Sequence, residues 1–345
     1  LAKLTMFGPK LTMAIWDLPP EIGLLLYPDA ASATVHGLTD LFNVASTIAR
    51  ERIGANAPMF RVSHWQPDVK TDTVDRAFDT HPQLTGSPVA VIVPGSWQGQ
   101  PSPDVIRCMV KWLVECHAAG TTLCSVCAGA FVLAESGLLA GRTVTTHWTL
   151  TQKLAECFPD VHVDEKQITI EDGNFITAGG VLAWTDLGLR LVDRYLGSTI
   201  MLETAKYMLA DPPGREQSYY SNFAPRLQHG DTAVLRVQHW LQTEVTKQPN
   251  ISEMASISGL EERTFLRRFQ KATKLNPTQY NQRLKVGKAR EMLEFTSHPI
   301  DQIAWAVGYE DPRSFRKVFH KVVGLAPADY RRRFAVKGQR PDVSD

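Results

Sequence analysis

No uninterrupted apolar stretch in the 345 residues approaches the ~20 needed to span a membrane as a helix, so a membrane protein is not expected. Residues 1–10 hold Lys3 and Lys10 but no long apolar run or small-residue cleavage site, and a secretory leader is not expected there. Paired cysteines are also missing. The five present (Cys108, Cys116, Cys124, Cys127 and Cys157) are odd in number and irregular in spacing. That excludes a disulfide framework and points to free thiols in a reducing compartment, hence a cytoplasmic protein. Cys124 and Cys127 form one C-x-x-C, but a lone pair supplies two ligands where a structural zinc needs four. No metal and no cofactor are expected.

An overall charge bias is absent as well, at a net +1, but the near-balance conceals a division. From Asp231 onward there are 20 Lys and Arg against 13 Asp and Glu, which leaves 17 basic and 23 acidic residues before it. Charge segregated in this way points to a polyanionic partner for the basic part. A chain this long is also expected to form two domains.

The two parts follow different patterns. Up to about residue 200, compact apolar runs at 22–27, 89–93 and 121–126 read as buried strands. They alternate with helical spacing over 104–119, where Gly120 closes the helix, and over 182–196, where Gly197 does. Such alternation implies a largely parallel sheet with helices on both faces. The polar, aromatic stretch 213–230 after Pro212 reads as a linker. Domains are therefore expected over 1–212 and 231–345. The second shows only helical periods, broken at Gly259, Pro277, Pro299, Gly308, Gly324 and Pro327.

The second part repeats itself. Ile251, Ala255 and Gly259 recur as Ile300, Ala304 and Gly308, displaced by 49; Phe269, Leu275, Pro277 and Tyr280 recur as Phe319, Leu325, Pro327 and Tyr330, displaced by 50. Each copy is a short helix, a glycine turn and a longer helix, which is the pattern of a helix-turn-helix. In the first copy Phe265, Leu266 and Phe269 are expected to be buried, while Arg263, Arg267 and Lys271 form an exposed row with Thr264 and Arg268 beside it. In the second, Phe315, Val318, Phe319 and Val322 turn inward, and Arg313, Lys317 and Lys321 repeat the row with Arg316 alongside. A helix with one apolar face and one Arg/Lys/Thr face suits a DNA major groove, where arginine pairs with guanine and the other side chains reach phosphates. Residues 278–295 read as one long helix between the copies. If it sets the two basic helices ~34 Å apart, both enter successive grooves on one face of a duplex.

From about 231 to 334 the sequence resembles the AraC/XylS DNA-binding domain. The resemblance rests on Ile300, Ile303, Ala304, Gly308-Tyr309, Phe315, Phe319, Gly324-Leu325, Pro327 and Tyr330-Arg331-Arg332-Arg333-Phe334, and it spans both repeats.

The first part carries one sharp motif. Residues 125–130 follow a strand and open a helix, with Cys127 between small neighbours; a polar residue on such a turn is a nucleophile elbow. The small residues let the turn close tightly, and the helix N-terminus favours a thiolate. Residues 141–148 read as a strand ending at His147 and Trp148, and the Gly95-Ser96 turn after another strand could aim backbone N–H groups at the same place. Trp97, Trp148 and Trp184 fit either a pocket lining or a core, and His36 and His117 read as ordinary histidines.

Residues 20–200 resemble the PfpI/ThiJ type of glutamine-amidotransferase-like domain, and the whole chain is similar to GlxA-type regulators of the AraC family. The resemblance implies a flavodoxin-like parallel sheet followed by an all-α domain with two helix-turn-helix units. It places Cys127 on the nucleophile and His147 on a histidine that some enzymes of the superfamily carry. Two departures tell against catalysis. Proteases of this type have His directly after the cysteine, where this chain has Ala128, and active relatives place a carboxylate where this chain has Thr34. The expected function is sequence-specific DNA binding that controls transcription, without enzymatic activity. Cys127, His147, Gly95, Ser96, Thr34 and Trp148 are expected to line a pocket for a small-molecule effector. The expected partners are double-stranded DNA, that effector and a second copy of the chain, with RNA polymerase left open. The alternatives are a cysteine-dependent hydrolase or hydratase with an appended DNA-binding module, and a regulator whose first domain only dimerises.

Overall fold

A computed structural model describes residues 18–54, 57 and 59–336; the stretch 1–10 considered above lies outside them. The chain divides into two compact units, Leu1–Gln217 and Ser218–Asp345. No helix among the described residues is long and apolar enough to cross a membrane.

The first unit runs β1 (Glu21–Leu25), α1 (Ser32–Ile53), β2 (Arg61–Asp68), β3 (Thr73–Asp79), β4 (Ala90–Val93), α2 (Pro103–Ala118), β5 (Thr122–Val126), α3 (Gly129–Glu135), β6 (Thr143–Val144), α4 (Thr151–Cys157), β7 (His162–Val163), β8 (Thr169–Asp172), β9 (Phe175–Ala178), α5 (Trp184–Leu196) and α6 (Ser198–Tyr207). Seven strands form one sheet in the order β3-β2-β1-β4-β5-β9-β8. The five central strands are parallel, as expected, and β3 and β8 close the edges antiparallel.

Alternate residues of the central strands feed opposite layers, because successive side chains in a strand point to opposite faces. Ile22, Leu24, Ile92 and Val126 pack with Leu38 and Phe42 of α1 and Leu187 and Leu191 of α5. Leu25, Val91, Val93 and Leu123 pack with Met109 and Leu113 of α2 and Phe131 of α3. Burial on both faces explains why these strands read as continuous apolar runs rather than alternating ones.

One expectation fails here. The strand anticipated over 141–148 is two residues long, Thr143–Val144, and pairs with β7 rather than joining the main sheet. Beyond it the backbone turns to side-chain partners: Thr145 N donates to Thr177 Oγ1 at 2.8 Å, and Thr145 Oγ1 donates to Gln167 O at 3.0 Å. Threonine and histidine at 145–147 give a strand-like composition but no ladder.

The second unit is helical: α7 (Thr232–Thr243), α8 (Ile251–Ser258), α9 (Glu262–Thr273), α10 (Pro277–Phe295), α11 (Ile300–Ala306), α12 (Pro312–Val323) and α13 (Pro327–Phe334). It holds two separate cores. Val234, Val237, Met254, Ala255, Phe265, Phe269 and Tyr280 make the first, and Val286, Ala289, Leu293, Ile303, Ala304, Phe315, Phe319 and Tyr330 the second. Both helix pairs anticipated from the repeat are present. Asn276 and Gln279 form a reciprocal cap at the start of α10, and Pro277 takes its first position, where a missing N–H costs nothing.

Leu266 corrects the sequence reading, being exposed rather than buried with Phe265 and Phe269. The buried row of α9 is Phe265, Phe269 and Thr273, spaced by four, and Leu266 lies about 100° around the helix from Phe265.

Candidate functional site

Cys127 sits where the chain leaves β5 and turns into α3. Its φ of 54° is left-handed, a conformation that a non-glycine residue adopts at a cost of ~1–3 kcal/mol and that persists only where the surroundings impose it. Three contacts impose it. Cys127 N donates to Ala178 O at 2.7 Å, Thr146 Oγ1 donates to Cys127 O at 2.8 Å, and Gly95 lies so close that a Cβ there would stand 3.2 Å from that of Cys127. The turn has the backbone of a nucleophile elbow.

The electrostatics do not activate it. Burial pushes the Cys127 thiol above its ordinary pKa, and the Ala128 and Gly180 N–H groups only partly offset this. The thiolate expected from the helix N-terminus therefore gives way to a neutral thiol, because desolvation outweighs the N–H groups. His147 lies two residues beyond the Thr146 cap. Burial holds its pKa below the ordinary value. Its Nδ1 accepts from Thr149 N at 3.2 Å and lies 2.7 Å from Thr149 Oγ1. An Nδ1 that accepts from a backbone N–H leaves the proton of the neutral ring on Nε2, which then donates and cannot take a proton from a thiol. Among the described residues no hydrogen bond joins His147 to Cys127. The imidazole stacks on Trp148 instead, with ring centroids 5.5 Å apart.

Thr34 lies in the first turn of α1, and the Ala31 N–H just before that helix donates to Gly95 O at 2.8 Å. Thr34 is 1% exposed, and among the described residues its Oγ1 has no hydrogen-bond partner, nor does the Oγ of Ser125 on β5. Ser96 forms an isolated antiparallel bridge with Ala30. It lines a cavity of about 250 Å³ with Pro28, Asp29, Gln98 and Ser102, off the C-terminal ends of β1 and β4. Those neighbouring strands are where the connections part to opposite sides of the sheet, a common place for ligands in open α/β folds. Of the three tryptophans, Trp97 is exposed, Trp184 packs over Gly37 of α1, and Trp148 is half-buried beside His147.

One residue of this region was not anticipated. Gln217, 3% exposed, sends Nε2 to Thr145 Oγ1, Thr146 O and Gln167 O at 2.9–3.0 Å and accepts from Trp148 N at 3.1 Å. Only glycine fits at 179, where a Cβ would meet Gln217 Nε2 at 2.1 Å. A lone glutamine in a polar stretch has no periodicity to betray it. Nearby, Arg215 pairs with the buried carboxylate of Asp186 on α5.

In the second unit, Arg263, Arg267 and Lys271 of α9 and Arg313, Lys317 and Lys321 of α12 are all exposed, at matching positions of the two copies. Thr264 is half-buried beside the first row. The remaining two arginines are engaged. Arg268 holds Asp231 through both carboxylate oxygens at 2.7 and 2.8 Å, and Arg316 meets Asp301 at 2.5 Å. Asp231 also caps α7, accepting from Val234 N, and Asp311 caps α12 by accepting from Arg313 N and Ser314 N, both at 3.0 Å.

Comparison with known proteins assigns both units. A helix-turn-helix domain model matches residues 254–333, and the DJ-1/PfpI family model matches residues 68–194. The chain joins a DJ-1/PfpI domain to an AraC-type helix-turn-helix domain. It is 26% identical over 268 residues to the HTH-type transcriptional regulator GbdR of Pseudomonas aeruginosa, covering 77% of this chain and 71% of that protein. It is likewise 26% identical over 218 residues to the HTH-type transcriptional regulator GlxA of Rhizobium meliloti, covering 62% of this chain and 66% of the relative. A third similarity is to Protein DJ-1alpha of Drosophila melanogaster, 28% identical over 126 residues, 34% of this chain and 54% of that one. The DJ-1/PfpI match takes in Cys127 and His147 but neither Thr34 nor Gln217, and the helix-turn-helix match takes in all six free basic side chains.

Proposed function

We propose that this chain is a sequence-specific DNA-binding regulator of transcription, in which the helical unit reads DNA and the DJ-1/PfpI unit senses a small molecule and dimerises. The observation that carries the reading is the duplicated row of exposed cations, Arg263, Arg267 and Lys271 on one helix and Arg313, Lys317 and Lys321 on its counterpart. One basic helix face is commonplace on a protein surface. The same face on both copies of a helix-turn-helix is what two adjacent major grooves require. The names of the relatives, HTH-type transcriptional regulators, support the same assignment.

The elbow serves as a binding feature in this reading, not a catalytic one. A neutral thiol without a hydrogen bond to the His147 imidazole among the described residues lacks a base, and Thr34 supplies a hydroxyl where a carboxylate would be needed to orient one. Cys127, His147, Gly95, Thr34 and Trp148 then surround an uncharged polar effector, with Ser96 at the neighbouring cavity. RNA polymerase enters as a partner only through the DNA-bound state.

The test is a selection from random-sequence duplexes by the full chain, followed by binding measurements on the enriched sequence. Enrichment of a duplex whose affinity falls when Arg267 or Lys317 is replaced by alanine is the expected result. Failure to enrich any duplex sinks the reading.

A further inference from the structure

Helix α10 is shared between two bodies. Tyr280 and Leu284, in its first half, belong to the first core, and Val286, Ala289 and Leu293, in its second, belong to the other. One helix between two cores fixes their spacing along its axis, yet helices bend, and a single shaft resists rotation of its two loads poorly. The unit has a second connection, made at the changeover point between the two cores.

That connection centres on Gly308, in the turn of the second helix-turn-helix. Its carbonyl oxygen accepts from Gln248 Nε2 at 2.6 Å and from Lys285 Nζ at 3.1 Å. Gln248 comes from the α7–α8 loop, which belongs to the first copy. Lys285 sits on α10 between Leu284 and Val286, is 3% exposed, and lies 5.2 Å from the centre of the Tyr309 ring. The same loop also approaches the glycine's α-carbon, so that a Cβ on residue 308 would stand 1.8 Å from Thr246 O.

The first copy supplies an internal control. Gly259 occupies the equivalent turn with nearly the same left-handed φ, 71° against 78° at Gly308. A Cβ at 259 would meet nothing closer than an Arg236 nitrogen at 3.7 Å. Both glycines are required by the turn, but only Gly308 is also required by a neighbour. Duplication explains the turn and leaves the close approach at 308 to be explained.

We propose that Gly308, gripped by Gln248 and Lys285, is the clasp that fixes the angle between the two recognition helices and thereby the half-site spacing the protein accepts. The inference rests on the DNA-binding reading above. In B-DNA each added base pair turns the second half-site by about 34° and advances it by about 3.4 Å, so a rigid pair of helices discriminates spacing and a loosened pair does not. Binding through two linked modules exceeds binding through one only when the linkage allows both to engage together.

The experiment uses the full chain and the duplex it enriches from a random pool, with one protomer's two contacted grooves located by footprinting. Affinity is measured for that duplex, for a version with one base pair inserted between the two grooves, and for a version with one half scrambled. The unaltered chain should lose on the order of tenfold on insertion. Gln248→Ala, which changes an exposed side chain and threatens no core, should bind the original duplex about tenfold more weakly and lose less than about threefold on insertion. Its affinity for the half-scrambled duplex should stay that of the unaltered chain. Gly308→Ala should act the same way, and Gly259→Ala should keep the full insertion penalty. If Gln248→Ala keeps that penalty, or Gly259→Ala relaxes it equally, the clasp is refuted; should Gly308→Ala fail to fold, Gln248→Ala decides. Enrichment of a duplex read through one groove alone also refutes it, whereas no enrichment at all refutes the DNA-binding reading instead.

Discussion

Replacing Gln217 by alanine tests how the segment carrying His147 and Trp148 is held. The two Nε2 hydrogens of the amide are shared among Thr145 Oγ1, Thr146 O and Gln167 O, and its Oε1 accepts from Trp148 N. At about 1 kcal/mol net per bond, two donated and one accepted, the loss is ~3 kcal/mol, and the one buried methylene removed adds ~1 kcal/mol. The site is polar and as roomy as the amide removed, so a water can restore part of the bonding and bring the cost to about 3 kcal/mol. For a unit of roughly 200 residues that is a fall of about 6–12 °C in the unfolding midpoint. Gln217→Glu sharpens the test. It keeps the shape and the acceptor for Trp148 but sets a carboxylate oxygen against the carbonyls of Thr146 and Gln167. It should destabilise at least as much as alanine at neutral pH and recover as the pH falls and the carboxyl is protonated. The assay is urea unfolding of the full chain followed by tryptophan fluorescence, with hydrogen exchange read at the Trp148 amide, which should become labile in the alanine variant. A Gln217→Glu chain as stable as the original at neutral pH, or a Trp148 amide still protected in Gln217→Ala, would refute the reasoning.

Cys127 should alkylate more slowly than a small free thiol at neutral pH, and its rate should rise only above the ordinary thiol range, because burial raises its pKa; fast labelling at neutral pH would show an activated nucleophile. Arg268 and Arg267 are adjacent and should separate cleanly in mutagenesis. Arg268→Ala should lower stability slightly, as expected for an exposed ion pair, and leave DNA affinity nearly unchanged, whereas Arg267→Ala should weaken DNA binding by ~1–3 kcal/mol at unchanged stability. Equal effects on DNA would return Arg268 to the interface. Asp231 has its pKa held down first by its hydrogen bonds from Arg268, then by the Val234 N–H. A depressed folded-state pKa means stability that is present above the unfolded value near ~3.9 and is lost as the pH falls through the folded one. Asp231→Ala should therefore lower neutral-pH stability by about 1–2 kcal/mol and flatten the acid limb of the stability profile; an unchanged acid limb would count against the pairing.

What the sequence made legible follows from which interactions are local. The parallel centre of the sheet was readable because strands buried on both faces must be apolar throughout, as at Ile22–Leu25 and Ala90–Val93. The antiparallel edges were not, since β3 alternates charge with Val74 and Phe78 and could pass for an exposed loop. The two helix pairs were readable because duplication writes each contact twice. The commitments of individual arginines were not, since Asp231 stands 37 positions before Arg268, and nothing in the spacing ties them together. At the elbow, the turn at Cys127 was legible from its small neighbours. Its neutral thiol was not, because the pKa depends on burial by residues far along the chain. Leu266 failed for a simpler reason: an apolar residue next to a buried one on a helix does not share its face.

The claim on which the rest depends is that the two basic rows meet DNA phosphates and bases together, and the salt dependence of binding measures that directly. Six free cations, Arg263, Arg267, Lys271, Arg313, Lys317 and Lys321, face outward on the two helices. If each displaces one counterion per protomer, the logarithm of the association constant should fall against the logarithm of salt with a slope of about −5. Replacing Arg313, Lys317 and Lys321 together by glutamine should reduce the steepness by roughly half. A slope left unchanged by that triple substitution, or the absence of any duplex binding at low salt, would contradict the account.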